Sequence, residues 1–133
     1  MRKLYLASCL FATGALFAAV ADEAALRASM KSINPAHGGL GKKIAAKDAT
    51  AAADAKQLVK WFDTSGKFWK AKKSADSMAF NKTAVTSYKS ISKAVMAGKW
   101  DEATAAHKAA SETCRGCHTA HRVRAPDGSF SVK

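Results

Sequence analysis

From residue 22 onward, apolar residues return every three or four positions, the period of an amphipathic helix. The first stripe is Leu26, Met30, Ile33, His37, Leu40 and Ile44, six residues on one face. Pro35 and the pair Gly38-Gly39 interrupt its propensity but not its phase, so one helix is expected, open to a kink near Pro35. A short connection near Lys47-Asp48 leads to a second stripe, Ala51, Ala55, Leu58, Phe62, Ser65 and Trp69, with Gly66 as a potential early stop. After the polar stretch Lys70 to Asp76 comes a third, Phe80, Ala84, Tyr88, Ile91 and Val95, which Gly98 closes. The fourth runs from about Trp100, with Asp101 and Glu102 in its first turn, where negative charge complements the helix dipole. Its stripe is Trp100, Ala103, His107, Ala110, Cys114, Cys117 and His121. Ala125 to Ser129 reads as a frayed tail. Nothing resembles the strand and turn punctuation of a β domain, so an all-α fold is expected: four helices with one seam each, an antiparallel four-helix bundle.

The N-terminus changes the boundaries of that domain. Met1-Arg2-Lys3 is basic, Leu4 to Val20 is nearly all apolar, and Ala19-Val20-Ala21 has the small residues of a cleavage site. Residues 1–21 are therefore expected to be a signal peptide cleaved after Ala21, with a periplasmic domain at 22–133 and no permanent membrane anchor. Cleavage would discard Cys9 and leave Cys114 and Cys117 as the two cysteines. The full chain has a net charge of +12, and the loss of Arg2 and Lys3 lowers it by two. Its lysines are spread along the chain, among them Lys42, Lys56, Lys70, Lys82, Lys93 and Lys108, without a nucleic-acid-binding motif. An acidic protein partner is expected, and no nucleic acid.

Cys114-Arg115-Gly116-Cys117-His118 then gives the bundle a chemistry. C-x-x-C-H is the attachment signature of c-type haem: two thiols add to the haem vinyl groups and the imidazole reaches the iron. At about 100° per residue, the two cysteines and His118 fall within one arc of a helix. C-x-x-C also serves redox disulfides and zinc sites. The first needs a βαβ pattern, and the second lacks another C-x-x-C, although His107 and His121 could supplement the cysteines. Haem alone accounts for His118. Alanines fill so many inward positions that the protein core would be thin, and one covalently bound haem c would complete it. The apoprotein is accordingly expected to be less ordered than the holoprotein.

With that motif near the C-terminus of four striped helices, the chain resembles the class II cytochromes c, the group of cytochrome c-prime and the c556-type cytochromes. The resemblance spans most of residues 22–133. Cys114 to Arg122 is similar to the family ending C-x-x-C-H-x-x-(aromatic)-R, with His121 where the aromatic residue usually stands. Arg27-Ala28-Ser29-Met30-Lys31, followed by His37-Gly38, resembles the segment that faces the distal side of the haem, and Pro35 departs from it.

The resemblance implies His118 as proximal ligand, Met30 as sixth ligand and Arg122 near the proximal ligand or a haem propionate. Each has an ordinary alternative: core packing for Met30, a helix C-terminal charge for Arg122. His37 shares the phase of Met30 and is a second possible ligand, or else a partly exposed histidine beside Gly38-Gly39. His107 and His121 are expected around the haem edge, and Met78 and Met96 in packing. The function expected is electron transfer by a six-coordinate monohaem protein, monomer or homodimer, without transformation of a substrate. The alternatives are a five-coordinate protein that binds nitric oxide or carbon monoxide and a zinc-stabilised helical interaction module.

Overall fold

In the computed structural model the backbone is described from residue 12 to 133 and side chains from residue 23. The basic start of the expected leader and Cys9 lie outside the described residues. Helices α1 (Ala12–Ala45), α2 (Ala51–Ala71), α3 (Ala75–Met96) and α4 (Trp100–His121) are followed by strands β1 (Arg122–Arg124) and β2 (Phe130–Val132). Among the described residues no helix is long and apolar enough to cross a membrane.

The helices run alternately up and down. Lys43 at the end of α1 pairs with Asp54 at the start of α2, while late Gly66 on α2 abuts early Asn81 on α3. Phe80 on α3 abuts Gly116 on α4, and His37 on α1 meets Ser111 on α4. The connections are short and locally satisfied. Asp48 accepts hydrogen bonds from the Thr50 amide (2.8 Å) and hydroxyl (2.7 Å). Gly98, at φ 69°, lets α3 end in a Schellman turn: Lys99 N–H donates to Ala94 C=O (2.9 Å) and Gly98 N–H to Val95 C=O (3.0 Å).

The predicted stripes form the core. Leu40, Leu58, Tyr88 and Ile91 are fully buried, and alanines at 51, 55, 84, 103 and 110 let the helices approach closely. Leu26, Phe68 and Trp69 make a second cluster at one end, and Met30 packs against both.

Three local expectations are overturned. Gly66 lies inside α2, which continues to Ala71, because the missing side chain admits Asn81: a Cβ there would stand 2.9 Å from Asn81 Nδ2. Met78 and Met96 are surface residues, 41% and 64% exposed, rather than packing residues. The supposed frayed tail is an antiparallel hairpin pairing Arg122 with Val132 and Arg124 with Phe130. Pro126-Asp127-Gly128 supplies its turn, with Gly128 at φ 85° and Asp127 accepting from the Ser129 amide at 2.9 Å. Val132 packs against the second cluster, and Lys133 N–H donates to His121 C=O (3.0 Å).

Candidate functional site

All four helices wall one apolar cavity at the end of the bundle that holds the C-terminus of α4. Cys114, Cys117 and His118 line it from α4 and Met30 from α1, with Phe62 and Trp69 on α2 and Phe80 on α3. It measures about 70 Å³ and opens to solvent at its mouth. Cofactor pockets typically span ~300–1,000 Å³, so a haem seated here would extend well beyond this cavity through its mouth.

The local sequence explains how α4 presents the motif. Spacings of three and four put both thiols and the imidazole within one arc of α4, and all three line the cavity. A Cβ at Gly116 would stand 3.0 Å from Phe80 Cε1, so glycine lets the ring pack directly against α4. Burial pushes the Cys114 thiol above its ordinary range, partly offset by Tyr88. Burial, with Cys114 and Asp76 adding to it, pushes Cys117 up to about 11. Burial, and then the charge of Arg122, holds His118 below its ordinary value, favouring the neutral imidazole that ligation requires.

Arg122 stands outside the cavity lining. Its amide donates to His118 C=O as the helix ends, and its guanidinium lies 4.0 Å from the Phe130 ring centroid. His121 also stays out of the lining: it bonds Asp76 at 2.8 Å and packs on Trp69, its ring centroid 5.3 Å away. His107 stacks on His37 at 4.1 Å.

His37 is partly exposed, as one of its two expected readings had it, and it also lines the cavity with both ring nitrogens bonded. Tyr88 O–H donates to its Nδ1 (2.9 Å), and with that tautomer Nε2–H donates to Ser111 Oγ (2.8 Å). Ser111 O–H donates to His107 C=O (3.0 Å), and His107 Nε2–H donates to His37 C=O (3.0 Å). The closed circuit fixes α1 to α3 and α4. It occupies both His37 nitrogens, so that among the α1 residues lining the cavity the Met30 thioether and the Asn34 amide oxygen, rather than His37, have lone pairs without a partner among the described residues. Burial, followed by the neighbouring His107, lowers the His37 pKa to about 4, which keeps the ring neutral and the circuit intact.

Sequence reasoning missed this circuit, since Ser111 and Tyr88 have no motif of their own. It also missed Asn81, whose buried Oδ1 on the cavity wall has no hydrogen-bond partner among the described residues. Among the described residues no set of three or more His, Cys, Asp or Glu gathers to hold a metal ion.

The residues fit a covalently tethered haem: two thiols one helical turn apart, a neutral imidazole beside them, a thioether on another helix, and aromatic walls. No family model matches the chain, nor does any curated protein or solved structure.

Proposed function

We propose that this protein is a periplasmic electron carrier of the class II cytochrome c kind, holding one haem c and transforming no substrate. The observation that carries the reading is that Met30, near the start of the domain, lines the same apolar cavity as Cys114, Cys117 and His118, near its end. Cys114 and Cys117 would tether the haem, His118 would donate the proximal nitrogen and Met30 the distal sulfur. The bound haem would supply a one-electron Fe(III)/Fe(II) couple, and a thioether ligand favours its ferrous form.

The chain's own residues do the rest. Phe62, Trp69 and Phe80 keep the site apolar, and the His37 circuit sets the height of α1, and so of Met30, against α4. Arg122 biases His118 toward the neutral ligand and adds positive charge at the end of α4. Raised thiol pKa values argue against a redox disulfide, whose attacking cysteine needs a lowered one.

Optical spectra of the exported protein test the proposal. The expected ferric form is low spin, with a sulfur-to-iron charge-transfer band that Met30→Ala abolishes while the haem stays attached. Survival of the band in that variant would exclude Met30 as ligand. A high-spin protein that binds carbon monoxide would favour the gas-binding alternative, and absence of a Soret band would remove haem altogether.

A further inference from the structure

Three of the chain's five arginines, Arg115, Arg122 and Arg124, lie within ten residues at the end of α4 and in β1, whereas its lysines are scattered. In the hairpin, Phe130 lies under two guanidinium groups, Arg122 at 4.0 Å and Arg124 at 5.7 Å from the ring centroid. Phe130 is 41% exposed. Neither arginine has an ion pair among the described residues. A guanidinium packed face-on against a ring keeps its in-plane N–H donors for another group, and a carboxylate matches their fork.

The hairpin is anchored firmly enough to serve as a surface. Val132 packs on Leu26, Phe68 and Trp69, and Lys133 N–H donates to His121 C=O. Trp69 belongs both to that cluster and to the cavity wall. The hairpin therefore sits at the site's end of the bundle.

We infer that the C-terminal hairpin, through Arg122, Arg124 and Phe130, is the docking surface for an acidic, carboxylate-bearing protein partner. A second basic surface exists, the groove between α2 and α3 edged by Lys60, Lys67, Lys70 and Lys89. Protein interfaces are enriched in arginine and aromatic residues and depleted in lysine, which favours the hairpin. A membrane would need a larger apolar face than a three-residue strand offers. The partner's role as electron donor or acceptor rests on the electron-carrier reading; the surface itself does not.

The test uses the full exported chain, labelled with ¹⁵N and titrated with an acidic aromatic copolymer, poly(Glu,Tyr), and with plain poly-glutamate. Amide shifts concentrated on residues 122–132 are expected, with about tenfold weaker copolymer binding in Arg124→Glu, the order of magnitude of a lost charge-assisted pair. Phe130→Leu, a milder change to the hairpin, should reduce the preference for poly(Glu,Tyr) over poly-glutamate. Shifts centred on Lys60, Lys67, Lys70 and Lys89, or spread evenly over the lysines, would overturn the inference. So would an Arg124→Glu variant that keeps copolymer binding and loses only phosphatidylglycerol vesicles, which would make the surface a membrane contact. The haem spectrum of the same sample reports separately on the electron-carrier reading, since Arg124 lies outside the cavity.

Discussion

A methyl group added at Gly41 would stand 2.8 Å from His107 Cε1, closer than nonbonded carbons come, so Gly41→Ala must displace the ring that stacks on His37 and bonds its carbonyl. Helix propensity favours alanine by up to ~1 kcal/mol, and overpacking of this kind costs ~1–3 kcal/mol. A lower urea midpoint is therefore expected for Gly41→Ala; a rise would mean that the circuit is not rigid. His37 itself makes the fold sensitive to acid. Its folded pKa of about 4 lies below its ordinary value of 6.5, so the folded state binds fewer protons than the unfolded chain between them. The stability it contributes is fully present above about pH 6.5 and is lost as pH falls toward 4. Thermal melts across that window should drop, and His37→Gln should flatten the dependence; an unchanged slope would exclude His37 as its source. Neither effect was legible in the sequence. Gly41 and His107 are far apart along the chain, and only antiparallel packing of α1 on α4 brings them together.

At the scale of elements, the four helices were legible because one period of three and four governs each stripe, and their burial follows it. Leu40 on α1 and Leu58 on α2 have no exposed surface, so Leu40→Ala should cost ~2–5 kcal/mol, read as a lower denaturation midpoint at constant slope. A cost under ~1 kcal/mol would mean that the alanine-rich seam closes over the void. The hairpin was not foreseen, although Pro126-Asp127-Gly128 is a turn signal, because each of its strands is only three residues long. Such short strands have little pattern of their own, and these are held by Val132 packing on residues from α1 and α2. Gly66 was misjudged for a related reason. A glycine within a helical stripe reads as a stop, and the contact that justifies it, Asn81 on α3, is invisible until the helices pack.

For the whole molecule, buried alanines at 51, 55, 103 and 110 close the helix seams, and the cavity lies apart from them among Met30, Phe62, Trp69, Phe80 and the C-x-x-C-H residues. If haem fills it, attachment should raise the melting temperature and protect amides of α1 and α4 from hydrogen exchange. Equal protection with and without haem would refute that coupling. Spacing and residue type by themselves determined four amphipathic helices, the face that each buries, the Gly98 turn, and a C-x-x-C-H group whose thiols and imidazole share one helical arc. These are local properties, fixed by 3.6 residues per turn and by side-chain chemistry. Tertiary structure alone decided that Met30 shares a cavity with the motif, that both His37 nitrogens are occupied, that Asn81 lacks a partner, and that Phe130 lies beneath two arginines. Each of those depends on the distance between residues remote in sequence, and that distance exists only once the helices have packed.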